Sequence, residues 1–478
     1  APEIFPEEVC LAIGTCAMIG EQPCKVVVLG HGPVGYAFIE QLVNNSTRRL
    51  RIQVISECRY PAFNRVMMTT FFRHRSVERL EFASREWYKE HGIEIVFGKA
   101  TSIDRKLRLV HYDTSSQQHT LSYDELVFAT GSSPFVPPIH GLSLATPGIF
   151  VYRTITDMEK MIQRAPGHHS AAVIGGGLLG LEAAKALQEL GLKVHVLEVA
   201  PQLLPTQIGQ SASELVRQKV EQLGVTVHTK VQILEVLSNA EGVNGVRIQE
   251  NGAERVLDVC VLVVSAGVRP RDELARSCGL EIGQRGGVKV DSRLRSTTDD
   301  HVYAIGEVAS YNGGMVYGLW APGVEQARVL SCTLGCPEKQ LEYHGSDLST
   351  NLKLLGVNVA SFGADPSFWT SRLFDIGPAS NEHPHIFTSV ASDANAGVCR
   401  RLIFKHNPED QSYQLLGGVL VGDVEDYLEL RDLARSGEKL WGAKPAELTQ
   451  GENLTTWQSL VETLPTNFMQ NDVASSRL

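Results

Sequence analysis

The chain is poor in cysteine, with nine in 478 residues, and those nine are scattered. None forms a CxxC pair, and the nearest two, Cys332 and Cys336, stand four apart. This spacing offers no zinc ribbon and no four-cysteine iron–sulfur motif, and the scatter suits a reducing compartment. No apolar run is long enough to span a bilayer. Basic residues are in the minority, 44 Lys and Arg against 54 Asp and Glu, for a net charge of −10. That balance argues against a nucleic-acid-binding or anionic-membrane surface. The opening APEIFPEE is acidic and lacks the basic start of a secretory or mitochondrial leader. Hydrophobic content of 43% suits a globular protein, and the length is too great for one core, so two or three domains are expected.

Glycine is placed where it counts. Residues 25–35 read KVVVLGHGPVG. The apolar run Val26 to Leu29 does not alternate, as in a strand buried on both faces of a parallel sheet. It leads into Gly30, Gly32 and Gly35 at GxGxxG spacing. Gly30 permits the tight turn, Gly32 lets backbone approach a pyrophosphate, and Gly35 lets the next helix pack closely. That helix, opening at Pro33 and Val34, points unpaired N–H groups at the same spot. The following strand, RIQVIS at 51–56, ends at Glu57, where an acid can bind adenosine ribose hydroxyls.

Beyond Glu57, residues 60–70 (YPAFNRVMMTT) have no clean period and read as a loop. A helix is expected near Glu81 to Glu90, then short strands at 93–97 and 108–112. LVFATGSSP (126–134) is a strand ending in Ala129, Thr130 and Gly131, and Pro134, Pro137 and Pro138 mark a crossing between domains. The pattern then repeats. AAVI (171–174) runs into Gly175, Gly177 and Gly180, with Leu178 and Leu179 between them and Glu182 on the helix. KVHVL (193–197) ends at Glu198. VLVVSAG (261–267), closing at Gly267, echoes the Ala-Thr-Gly turn, and DDHVYAIGE (299–307) brings Gly306 and Glu307 to a strand end. Two dinucleotide sites therefore lie in one chain. From about 345 the segments 352–362, 401–404 and 415–422 read as strands of a smaller domain. The tail from 452 is polar, with a helix expected around 455–464.

This order of motifs resembles the pyridine nucleotide–disulfide oxidoreductase superfamily. Its wording is most similar to the flavin (FAD/NAD(P)H) module of assimilatory nitrite reductase, through FNRV (63–66), VYRT (151–154), AIGE (304–307), YGLWAPG (317–323), LKLLGV (352–357) and GGVLVGD (417–423). The resemblance implies an α/β fold of two Rossmann-like dinucleotide-binding domains, for FAD and NAD, with a smaller α+β C-terminal domain. The expected divisions are an extension 1–24, an FAD domain 25–150 with 268–344, an NAD(P)H domain 151–267, a C-terminal domain 345–450 and a tail 451–478. By the resemblance FAD takes the first site, with Arg65 near the flavin-side phosphate, Ala129, Thr130 and Gly131 returning to it, and Gly306 and Glu307 at the ribityl region. Relatives usually place Asp where Glu307 stands. The second site takes a nicotinamide dinucleotide, and Glu198 repels a 2′-phosphate, favouring NADH over NADPH. Glu182 falls near the nicotinamide as a catalytic candidate, and Trp320 either lines the flavin face as a second one or is an ordinary core tryptophan.

The departures shape the functional expectation. Nitrite reductases continue into iron–sulfur and sirohaem segments; this chain ends at Leu478 without a cysteine cluster, so it is expected not to reduce nitrite by itself. No cysteine lies in 64–72, Cys58 reads as a packing residue, and Thr70 stands where some relatives carry a lysine, so no proton donor is evident. The expected function is hydride transfer from NADH through FAD to a small-molecule or protein acceptor. Two alternatives stay open: an FAD oxidase acting on a small organic metabolite without NAD(P)H, and a redox-sensing flavin protein. No nucleic-acid or membrane partner is expected, and a homodimer is admitted. Ser476, Arg477 and Leu478 match a Ser-basic-Leu peroxisomal address, which implies the import receptor as a partner and the peroxisome as location, with the cytoplasm as the alternative.

Overall fold

The computed structural model describes residues 22–441, apart from 340, 355, 371–372, 374–384 and 394, together with 445 and 449. Residues 1–21, the expected helix at 455–464 and the address at Ser476, Arg477 and Leu478 lie outside the described residues.

Two parallel sheets share one plan. The first orders its strands Val302–Ala304, Glu125–Phe128, Cys24–Leu29, Leu50–Ser56 and Glu94–Phe97. The second orders Ile149–Val151, Val261–Val264, Ser170–Ile174, Lys193–Glu198 and Thr226–Thr229. In each, the strand that leads into the glycine motif is central and the chain reverses direction of growth beside it. That reversal opens a crevice beyond the strand ends. Val26, Val27 and Val28 are fully buried, as an unalternating run requires. Ile149–Val151 sits at the edge of the second sheet, although it precedes the expected start of that unit by two residues. The crossings between units are zipped together, Val268–Pro270 pairing antiparallel with Ser132–Pro134.

The stretch read as a loop at 60–70 is instead a folded flap. Asn64 N–H donates to Leu80 O at 2.8 Å and Phe82 N–H to Ala62 O at 3.0 Å, tying its ends together. Between them lie a short 3₁₀ turn, Arg65–Met67, and the helix Met68–His74. Phe63, Met68, Phe71, Phe72 and Leu80 do not join the core of their own sheet. They pack with Tyr152, Met158, Leu181 and Ala184 in the core of the second unit. Polar bonds follow the same path: Glu159 accepts from Arg59 at 2.8 Å and Tyr60 at 2.7 Å, and Arg73 pairs with Glu189.

The third sheet is antiparallel, ordered Thr350–Leu354, Val357–Gly363, Ser412–Val421, Val398–Asn407 and Ile386–Asp393. The run 352–362, read as one strand, is a hairpin, because Gly356 turns the chain at φ +85°. The helix Tyr427–Ser436 covers one face, while Val357, Val359, Val419 and Val421 turn the other face toward the second unit. Among the described residues no helix is long and apolar enough to cross a membrane.

Candidate functional site

Both glycine turns open onto one cleft of about 1760 Å³. Their outer glycines serve packing. A Cβ on Gly35 would lie 2.7 Å from Gly30 O, and one on Gly180 would lie 2.0 Å from Gly175 O. Their middle glycines serve the cleft. A Cβ on Gly32 would meet only Arg65 Nη2, at 3.8 Å, and one on Gly177 would meet nothing within 4 Å. Gly32 and Gly177 also cap the helices Pro33–Asn45 and Leu178–Glu189, with no side-chain cap and no acid in either first turn. Each helix start therefore presents free N–H groups and a partial positive charge to the cleft. These two cradles fit the pyrophosphates of two dinucleotides.

Charge is set around the first cradle. Arg65 is partly buried, and among the described residues its Nε has no hydrogen-bond partner. Burial, with repulsion from Arg153, pulls its guanidinium down to about 10, which still leaves it cationic at neutral pH. Glu307 accepts from Arg153 Nη2 at 2.7 Å and from Ser132 Oγ at 2.8 Å. Burial opposes ionisation of Glu307, but Arg153, Ser132 and Arg65 together outweigh it and hold the carboxyl below its usual range. The surplus positive charge of this trio, and the unmatched Nε, suit an anionic phosphate. Glu57, which follows the strand Leu50–Ser56, pairs with Arg271. In the second cradle Glu198 is fixed by backbone, its Oε2 accepting from Gly176 N–H and its Oε1 from Ala200 N–H, both at 2.7 Å.

The cleft lining takes in every residue expected at the two sites except three. Gly35 and Gly180 are buried at helix–strand contacts, and Glu182 sits one turn further along the helix from Leu178. Burial pushes the Glu182 carboxyl up to about 7. Trp320 is 42% exposed, so it is no core tryptophan. It opens the helix Trp320–Gly335 and stacks on Phe82, whose ring in turn stacks on Tyr36. Thr70 spends its hydroxyl locally, donating to Met67 O at 2.7 Å with His74 Nε2 at 3.1 Å. Tyr152 is fully buried with its hydroxyl 3.2 Å from Thr69 Oγ1, a bond that joins the two units beside the cleft. Arg153, Ser132, Tyr152 and Arg271 were not singled out from sequence. Arg153 and Tyr152 lie inside the VYRT run that signals the family, whereas Arg271 carries no local signal. Among the described residues no cluster of His, Cys, Asp or Glu is placed to hold a metal.

Glu182 gives a pH prediction. Its folded value lies above the unfolded one, so the native chain keeps the proton longer and stability falls as pH rises from about 4 to about 7. Glu182→Gln removes the ionisation cost. It is expected to stabilise the chain by about 3 kcal/mol at pH 8 and hardly at all at pH 4.5. Denaturation curves at the two pH values check this, and equal gains at both would contradict it.

A family model described as pyridine nucleotide-disulphide oxidoreductase matches residues 24–328. The chain is 40% identical over 420 residues to the nitrite reductase NAD(P)H large subunit of Klebsiella oxytoca, covering 87% of this chain and 40% of that protein. It is 31% identical over 418 residues to the assimilatory nitrate reductase electron transfer subunit of Bacillus subtilis, covering 85% and 49%. It thus spans less than half the length of these curated relatives. Among solved structures, a NAD-dependent persulfide reductase from A. fulgidus superposes with a TM-score of 0.73 at 24% identity, covering 86% of this chain and 77% of that one.

Proposed function

This chain belongs to the pyridine nucleotide-disulphide oxidoreductase family, an FAD- and NAD(P)H-using group of oxidoreductases, and we propose that it takes hydride from NADH and passes electrons to a small-molecule or protein acceptor. The single observation that carries this reading is that the two cradles, each with an open middle glycine, line the same cleft. FAD held by the first cradle would supply the redox chemistry, two-electron transfer between a nicotinamide and an acceptor. The chain's own residues bind and orient. Arg65 and the free N–H groups after Gly32 offset phosphate charge. Arg153 and Ser132 fix Glu307 at the ribityl side. Leu178 and Leu179 line the second cradle, and Glu182 holds a proton near neutral pH beside it. Val66 and Trp320, both exposed, line the cleft and offer an acceptor an apolar approach. Nitrite reduction is not carried over from relatives of which the chain covers less than half.

Anaerobic mixing with NADH tests the proposal. Rapid loss of the flavin absorption band is expected. A band that neither NADH nor NADPH bleaches would favour an oxidase working on its own organic substrate.

Glu198→Ala tests the choice of nicotinamide. An acid at the end of the strand Lys193–Glu198 repels a 2′-phosphate, and no basic residue lies among Val199, Ala200 and Pro201 to receive one. The preference for NADH over NADPH, read as the ratio of kcat/KM values, is expected to fall about tenfold, equivalent to about 1.4 kcal/mol. An unchanged ratio would remove Glu198 from that role.

A further inference from the structure

The adenosine end of the first cradle carries a cation that the glycine turns do not call for. Arg271 follows Val268–Pro270, the segment by which the chain returns from the second unit to the first. Its backbone is pinned on both sides to the Ala-Thr-Gly turn: its N–H donates to Gly131 O at 2.9 Å, and its carbonyl accepts from Thr130 Oγ1 at 2.8 Å. Its guanidinium reaches Glu57, 214 residues away in sequence, Nη2 donating to Oε2 at 2.6 Å. The side chains of Arg271 and Glu57 remain 40% and 41% exposed. A pair that open to water contributes little to folding. Its place is informative: Glu57 and Arg271 line the cleft together with Lys99, Thr101, Leu274 and Ser277. Among the described residues Glu57 Oε1 has no hydrogen-bond partner, so one carboxylate oxygen is held and the other is offered.

We propose that Arg271 is a positioning residue that holds Glu57 in the orientation needed by an adenosine ribose, and that the pair closes the adenosine half of the cradle so that the chain selects the dinucleotide flavin over the mononucleotide. The inference rests on FAD occupying the first cradle. Ribose hydroxyls donating to Oε1 complete the carboxylate's bonding, and the adenosine covers the ion pair. Losing water strengthens charge-assisted hydrogen bonds of this kind. FMN lacks the adenosine and touches neither residue, which separates this role from general support of the fold.

The test uses the full chain stripped of flavin and titrated with FAD and, separately, with FMN, read by quenching of flavin fluorescence. Arg271→Ala is expected to weaken FAD about tenfold and to leave FMN unchanged. Arg271→Lys keeps the charge without the fork and is expected to recover part of the loss. Glu57→Gln is expected to lower FAD affinity by a similar factor, and combining it with Arg271→Ala to cost nothing further. Equal losses of FAD and FMN, an unchanged FAD affinity, or additive effects in the double variant would each overturn the assignment. If the unaltered chain binds neither flavin, the first-cradle reading itself fails, a result distinct from any of these.

Discussion

Gly32→Val is expected to give a folded protein without bound FAD. The reason lies in what surrounds each glycine. At Gly32 an added Cβ meets no backbone and has only Arg65 Nη2 within 4 Å, at 3.8 Å, so the native chain can hold a larger side chain there. The methyls would project into the space reserved for a pyrophosphate and cover the N–H groups at the start of the helix Pro33–Asn45. Affinity for FAD should fall by a hundredfold or more, roughly the value of the lost charge-assisted hydrogen bonds. Gly35→Val serves as the contrast. Its Cβ would sit 2.7 Å from Gly30 O, so helix and strand must separate and the first unit should fail to fold. Circular dichroism and visible absorption of the two purified variants distinguish the outcomes. A yellow Gly32→Val protein with normal FAD content would remove the cradle from this turn.

Phe72→Ala is expected to cost about 3–5 kcal/mol, the usual range for deleting a buried aromatic ring. Phe72 is 4% exposed and belongs to the flap, yet it packs in the core of the second unit, with its ring 6.2 Å from that of Tyr152. The cavity would therefore open in the core of the second unit, where the flap of the first is seated. Beyond the lower thermal midpoint, bleaching of the flavin by NADH should slow by more than the loss of FAD content explains, because the flap sets how the second cradle meets the first. Stopped-flow mixing on protein reloaded with FAD measures this. Native bleaching rates in a destabilised variant would show that the flap supports stability alone.

What the sequence made legible was local. The glycine spacing, the unalternating strands and the terminal acids at Glu57 and Glu198 are each contained in about thirty residues, and each element needs only its neighbours to take shape. The flap was hidden for the opposite reason. Met68, Phe71 and Phe72 do stand at helical spacing, but the helix is two turns long and its apolar side faces a different unit, so no amphipathic period develops. The hairpin at Gly356 was hidden by apolar residues on both sides of one glycine. Arg271 was hidden by distance: nothing near it hints that its partner lies 214 residues earlier. Trp320 was marked by its neighbours in sequence, but only its exposure and the ring of Phe82 behind it distinguish a cleft wall from a core.

Because residues 63–80 complete the interior of the neighbouring unit, the boundary between the binding modules does not follow the order of the chain. A chimera that swaps in residues 149–267 from a relative inherits a nicotinamide module missing part of its own interior. Exchanging cofactor preference by recombination should therefore succeed only when the donor also contributes the segment that precedes its module by some seventy residues.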